Sequence, residues 1–309
     1  MARAIAKRLV SSRLRHLARA EINMLRADGL VKAARYNWML TDAWARNLIN
    51  SHHYPQLNAD SASRLRKSDT VFVYGSGYSL NDITDAEWRH MAGHDTFGFN
   101  AFYHQRWIDV NFHLLRGGLY GELRWQGFAQ EVVNDIADNP RFRDTVFVMQ
   151  GEYLAQFSNQ LIGYRLLPPA RGVLRYPTNR DDGRLPSTAI DNGLRHIAGT
   201  LSDTVNCAFC LGWRHIVLVG VDLYDSRYFY LPPDQTATVD RERATVTGGP
   251  VNRLGGNRVE DQHYTLRNGV VDLMDEWQKF FAPRGVRMSV YNQRSLLAGV
   301  LPVYEAPAA

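Results

Sequence analysis

VFVYGSGYSL, running from Val71 to Leu80, is the stretch on which the fold turns. Val71, Phe72, Val73 and Tyr74 read as a buried strand, which breaks into Gly75-Ser76-Gly77 and resumes at Ser79-Leu80. A strand entering a small glycine turn lets backbone N–H groups approach a ligand with no Cβ in the way, which suits a phosphate. The turn lacks the third glycine of the dinucleotide fingerprint. A second unit, LGWRHIVLVGVDLYD, lies far along the chain from Leu211 to Asp225. There a helix end feeds an apolar strand that terminates in Gly220-Val221-Asp222-Leu223-Tyr224. Ligands of open α/β sheets bind beyond the carboxyl ends of strands, and both units place polar residues there.

Outward from these units, strand-like and helix-like segments alternate from Thr70 onward, as in a parallel-sheet domain. The pattern predicts strands over 70–74, 95–99, 110–115, 145–149, 215–220 and 286–291, and helices over 84–92, 119–137, 188–197, 201–211 and 268–282. Trp38, Met39, Leu40, Trp44, Leu48 and Ile49 give a helical pattern to about residue 50, and 52–68 reads as a polar connection into the sheet. Two irregular regions interrupt the rhythm: 164–187, with Pro168, Pro169, Arg171 and Arg175, and Leu231 to Gln262. The second precedes the last helix and is expected to form a lid over the strand ends.

A chain of 309 residues can bury a full core, and 45% hydrophobic with 22% charged residues is ordinary for a soluble globular protein. Apolar runs fall short of a membrane span, and no leader pattern opens the sequence, so the expected location is cytoplasmic. The basic balance is local. Residues 1–35 hold nine Lys/Arg against Glu21 and Asp28, a net of +7, while the whole chain is +5, leaving −2 for the remainder. Nucleic-acid binding by the body is therefore not expected. Val10, Leu14, Leu17 and Met24 fall at near-helical spacing, which makes the segment a basic amphipathic helix. Two partners suit it: an anionic membrane surface, at the inner face of the plasma membrane, or an apolar stripe on the body or on a second subunit of a homo-oligomer. Cys207 and Cys210 form a lone C-x-x-C in an apolar helix pattern and read as core residues; His90 and His94, with Gly93 between them, do not read as a metal site.

The ordered set of motifs resembles the bacterial sialyltransferases of glycosyltransferase family forty-two. That family opens on a strand and a Gly-Asn-Gly-Pro-Ser-Leu turn. Further on come a Leu-Gly pair before an apolar strand, Gly-Ile-Asp-Phe-Tyr, a lid with His-Tyr, and a final Asn-Ser-Leu-Leu-Ala. The counterparts here are GSGYSL, GFNAFY from Gly98 of the run Phe97–Tyr103, LGWRHIVLVGVDLY, His263-Tyr264 and Arg294-Ser295-Leu296-Leu297-Ala298. Motility accessory factors that glycosylate flagellin and pterin pyrophosphokinase-like proteins carry related domains. The resemblance covers about residues 70–300. It implies a Rossmann-like, mostly parallel α/β sheet, a GT-A-like variant, with the basic helical extension over 1–50 in front of it.

The function implied is a metal-independent, inverting glycosyltransferase. Its donor is a nucleotide sugar of the CMP-nonulosonate kind, its acceptor a glycan in surface lipopolysaccharide or capsule assembly, and no cofactor is needed. On this resemblance Gly75, Ser76, Gly77, Ser79, Asn100 and Asp222 bind the nucleotide, with Ser76 in place of a turn asparagine and Tyr78 in place of a proline. Tyr224 and Tyr230 match two tyrosines that hold the departing phosphate, where fixed hydroxyl donors meet developing charge. His263 is the candidate base, since an imidazole is suited to take the acceptor proton. The family places its catalytic histidine four residues beyond the His-Tyr histidine; this chain has Arg267 there, a residue fit to pair with an anionic substrate. Asp222 also suits a loop-capping role. Two alternatives stand beside this reading: a pterin pyrophosphokinase-like phosphoryl transferase, and a non-catalytic nucleotide-binding protein of the same fold.

Overall fold

The computed structural model describes residues 29–31, 33–117, 132–179, 183–224, 227–232, 236–239, 244–247 and 264–305. Its centre is an eight-stranded sheet. The strands are β1 (Gln56–Leu57), β2 (Thr70–Tyr74), β3 (Asp95–Phe99), β4 (Phe112–Leu115), β5 (Val146–Gln150), β6 (Gly172–Tyr176), β9 (His215–Val219) and β12 (Arg287–Val290). Their order is β1-β6-β5-β4-β3-β2-β9-β12, and every pairing is parallel. From β2 the chain steps outward to β6, then returns across the sheet to add β9 on the other side of β2. The junction of β2 and β9 is thus a topological switch point, where the crevices of open α/β sheets lie.

Alternating strand residues feed two cores. Val71, Val73, Ile216 and Leu218 face one side, packed under the helices α6 (Thr200–Leu211) and α8 (Val270–Phe281). Phe72, Tyr74, Val217 and Val219 face the other, with α3 (Asp85–Ala92) and α5 (Gln156–Gly163). Burial on both faces explains why these strands are continuous apolar runs. Helix α3 starts at a capping box, Thr84 with Glu87, a start signal carried in the sequence itself. Cys207 is fully buried in α6 and Cys210 largely so, and burial pushes both thiols up, Cys210 to about 12.

The six predicted strands are present, and so are the helices expected near 84–92, 201–211 and 268–282. Over 188–197 there is no α-helix: a 3-10 turn at Ile190–Asn192 runs into the short strand β8 (Leu194–Arg195), which pairs with β7 (Thr178–Asn179). Gly193, with φ +84, forces that turn. The region 164–187 is not wholly irregular, since it supplies β6, whose Val173, Leu174 and Tyr176 are buried. Arg171 and Arg175 disguise this strand as a loop. A five-residue helix, α2 (Ala59–Ser63), and β1 lie within the stretch expected as a connection, and α5 has no counterpart in the prediction. Of the predicted 119–137 helix, the described part is helical over 132–137. Within the expected lid, β10 (Thr236–Val239) and β11 (Ala244–Thr247) form an antiparallel pair.

The helix ending at residue 50 docks on the body through Ala33, Tyr36, Leu40, Ala43 and Asn47. Asn47 donates to Asn159 Oδ1 at 3.0 Å, and Asn50 donates to the Gly163 carbonyl at 2.7 Å. Only glycine fits at 163, where a Cβ would lie 2.8 Å from the Asn47 nitrogen. The apolar residues on the opposite face, Trp38, Leu48 and Ile49, are exposed. Among the described residues no helix is long and apolar enough to cross a membrane.

Candidate functional site

A cleft opens at the switch point. The turn after β2 contributes Gly75, Ser76 and Gly77; the end of β3 contributes Phe99 and Asn100; the end of β9 contributes Gly220 to Leu223. Thr200 and Leu201 in the first turn of α6 and Thr265 of the short helix α7 (Tyr264–Arg267) also line it, and Arg227 with Tyr228 lies beside the β2 turn, where Tyr228 bridges Gly77.

The glycine turn is built by a close crossing of backbones. A Cβ at Gly75 would sit 2.5 Å from the Gly220 carbonyl oxygen, and one at Gly77 would sit 2.6 Å from the same atom. The Gly75 amide donates to Val219 O and the Gly77 amide to Gly220 O, each at 2.8 Å. The Ser79 amide donates to Asp222 Oδ2 at 2.9 Å, and its hydroxyl makes a short bond to Asp222 Oδ1. Three of the turn's amides are therefore spent inside the protein, and Gly75 and Gly77 line the cleft without offering it their N–H groups. Ser79, expected at the nucleotide, is buried and is not among the residues lining this cleft. Asp222 is almost fully buried, and its carboxylate clamps the β2 turn to the end of β9. Its side chain also accepts from Asn292 at 3.3 Å, and its backbone carbonyl accepts from the Leu296 amide. The loop-holding role foreseen for Asp222 is the one its geometry serves.

Two non-glycine residues at the cleft have left-handed backbones, Asn100 (φ 51) and Leu223 (φ 61). Asparagine tolerates that region; a leucine there is strained, and such strain clusters at functional sites. The Asn100 carbonyl is met by His113 Nε2 at 3.3 Å, and His113 is fully buried, its pKa lowered by that burial to about 3. It is a neutral strut beneath the cleft floor.

The tyrosines expected at the phosphate lie beside the cleft. Tyr224 accepts from Asn292 Nδ2 at 3.2 Å, and the Arg294 guanidinium lies 5.7 Å from its ring. Tyr230 stacks on His104, ring centroids 4.0 Å apart. The hydroxyl-bearing ring in the cleft lining is Tyr228, whose phenol burial holds protonated and hence a donor. Arg227 brings a cation to the same wall and lies 3.9 Å from the centroid of the Tyr78 ring. Neither residue was singled out by sequence, because the motif reading fixed on Tyr224 and on spacing from it. His263 lies outside the described residues; Arg267 is the last residue of α7.

Along the same carboxyl edge, past β3, a second polar cluster gathers. Asp203, fully buried in the first turn of α6, accepts from Arg116 Nη1 at 2.6 Å and from the Tyr176 hydroxyl at 3.4 Å, and pairs with His196 Nδ1. Arg116 directly follows β4 and Tyr176 ends β6. Among the described residues no group of three or more His, Cys, Asp or Glu gathers as a metal site, and His90 instead bonds the Tyr304 hydroxyl at 2.8 Å. No family model matches the chain, and no curated protein matches it.

Proposed function

We propose that the chain is an inverting, metal-independent glycosyltransferase that moves a sugar from a nucleotide-activated donor, a CMP-nonulosonate, to a surface-glycan acceptor. The observation that carries this reading is the placement of the cleft. It lies at the switch point of a parallel sheet and is lined by the first turn of a 12-residue helix and by a guanidinium. A helix N-terminus carries partial positive charge, so this lining suits the anionic groups of a nucleotide sugar. Departure of a nucleotide monophosphate needs donors where charge develops, and Arg227 with Tyr228, beside the β2 turn, are the groups that would supply them. In this reading Tyr228 takes the role that the resemblance implies for Tyr224 and Tyr230, and those two brace the loop that presents it.

Thermal unfolding with CMP, UDP, GDP and ATP, each with and without Mg²⁺, tests the assignment. CMP is expected to stabilise most and without metal; a ligand at 100 times its dissociation constant adds ~2.7 kcal/mol. An Mg²⁺-dependent preference for ATP overturns it in favour of phosphoryl transfer. Arg267 at the family's catalytic position favours, as second reading, a nucleotide-binding protein without turnover, which CMP binding with no release of CMP from a CMP-sugar would support.

The helix ending at residue 50 is read as the membrane-facing part. Trp38 is 72% exposed and Leu48 and Ile49 63% and 67%, on a face turned away from the body, and the sequence before it is basic. Exposed tryptophan and aliphatic residues beside a cationic segment fit an anionic lipid interface, where each basic residue contributes about 1 kcal/mol.

A further inference from the structure

Asp203 and Arg116 already neutralise one another. The guanidinium is held at 2.6 Å, its side chain is 9% exposed, and the carboxylate is fully enclosed. Such a pair is electrostatically complete, and a third ionisable partner adds nothing that its stability requires. Yet the second carboxylate oxygen holds His196 through Nδ1, and this ring is 34% exposed. A carboxylate on Nδ1 fixes the tautomer with the proton on that nitrogen and leaves Nε2 as the acceptor of a partly exposed ring. A buried carboxylate that orients an imidazole in this way is the division of labour used wherever such a group serves a catalytic histidine.

The position of this dyad matters as much as its chemistry. Thr200 and Leu201, in the same helical turn as Asp203, line the cleft. A Cβ on Gly199 would lie 3.5 Å from the hydroxyl of Thr265, another cleft residue. The Ile197 amide bonds Ser202 Oγ, and that hydroxyl bonds the Gly199 carbonyl, so the segment carrying His196 is pinned to the start of α6. Arg116 and Tyr176 put the dyad over the ends of β4 and β6, on the side of the cleft away from β9. The groups suited to a leaving phosphate, Arg227 and Tyr228, belong to the segment that follows β9. A donor whose phosphate is held there, and which lies across the strand ends toward β3 and β4, would bring its sugar to the side of the dyad.

We propose that His196 is the catalytic base of the transfer and that Asp203, held by Arg116 and Tyr176, is its positioning residue; the acceptor approaches over the ends of β4 to β6. The proposal rests on the glycosyl-transfer reading and assigns to His196 the role for which His263 is the candidate in the sequence. In the step, the acceptor oxygen bonds to the anomeric carbon as the bond from that carbon to the phosphate oxygen breaks. The electron pair leaves with the nucleotide. The hydroxyl proton passes to His196 Nε2 and is returned to water after product release.

The experiment uses the full chain and CMP-N-acetylneuraminate, with water as acceptor and CMP release as the signal. His196→Ala should lower release by ~10² to 10⁴, the usual worth of a general base, with donor affinity by calorimetry within about threefold of wild type. Added imidazole should restore part of the rate to this variant and none to His263→Ala. A second readout needs no turnover. Diethyl pyrocarbonate should modify His196 in the free protein and in the CMP complex, and bound CMP-N-acetylneuraminate should protect it. Binding of the donor without protection of His196, or full activity in His196→Ala, overturns the assignment and leaves the transferase reading standing. Failure of the wild type to bind the donor at all overturns that reading, and the assignment with it.

Discussion

Asp95 at the amino edge of the sheet and Asp203 at its carboxyl edge are both fully buried, yet they are engaged by partners of different kinds. Asp95 accepts from the amides of Lys67 and Ser68 and from the Trp213 indole at 2.9 Å. None of these groups titrates in the ordinary range, none has a free lone pair to offer, and the cluster is closed. Asp203 is bound by a guanidinium, a phenol and a partly exposed imidazole, so its cluster reaches the surface above the strand ends. Burial of a carboxylate therefore marks nothing by itself. The partners separate a charge enclosed by the fold, as at Asp95, from one joined to an exposed ring, as at Asp203.

The largest effect expected at the closed edge is on stability. Asp95→Ala strands the buried Trp213 indole N–H and the part-buried Lys67 and Ser68 amides, groups worth roughly 1 to 3 kcal/mol each when buried, and should cost ~3–5 kcal/mol in urea unfolding while the folded fraction keeps its nucleotide affinity. A loss of affinity per folded molecule would break the contrast between the edges.

Acid supplies the next test. His113 is held neutral by burial with its pKa lowered to about 3, and His215, at the start of β9, is lowered to about 4. An unfolded histidine titrates near 6.5, so between that value and the folded ones the unfolded chain binds the extra protons. Stability should be full above about pH 6.5 and decline as pH falls toward 3, by up to ~1.4 kcal/mol per pH unit from His113. Urea midpoints measured between pH 7 and 4 should show the slope, and His113→Gln should flatten it; an unchanged slope would show that the strut under Asn100 is not the acid-sensitive group.

At the open edge, Gly77→Ala sharpens the account of the turn. The new methyl would meet Asp222 Oδ2 at 2.5 Å, so the clamp must shift. Overpacking of this kind costs ~1–3 kcal/mol, and CMP binding should fall more than stability does, because the moved atoms border the cleft. Equal losses in both would make the turn a purely structural crossing. The smallest effect on the fold belongs to the docked helix. Replacing Trp38, Leu48 and Ile49 by serine should change stability by less than ~0.5 kcal/mol per site. Sedimentation with phosphatidylserine vesicles should nevertheless weaken, and more so as salt rises. Undiminished vesicle binding would leave the exposed face without that partner.

Much of the carboxyl-edge cleft was legible from VFVYGSGYSL and LGWRHIVLVGVDLYD, because strands that end in glycine announce themselves locally. Which polar groups remain open was not. Ser79 and Asp222 bind each other across the turn, with Asp222 still at the cleft; Arg227 and Tyr228 sit in a loop with no periodicity; His196 falls in a stretch whose apolar spacing predicts a helix that Gly193 and the β7–β8 pair replace. Trp38, Leu40, Leu48 and Ile49 share one helical pattern in the sequence, yet Trp38, Leu48 and Ile49 face outward while Leu40, with Ala33, Tyr36 and Ala43, is covered. A surface-directed hydrophobic face has the same period as a buried one.

By itself the sequence determined the α/β class, six strands of the sheet, the helices α3, α6 and α8 and the burial of both cysteines. These follow from apolar runs, periodicity and caps, which are properties of neighbouring residues. Tertiary structure alone decided that β9 returns beside β2, that the segment with Arg171 and Arg175 supplies a strand, and that Arg116, Tyr176 and His196 converge on Asp203. Parallel order requires crossovers that no local pattern encodes, and a polar side chain's role depends on which strand ends become neighbours. Apolar burial can be read one residue at a time, whereas the pairing of charges exists only once the sheet is assembled.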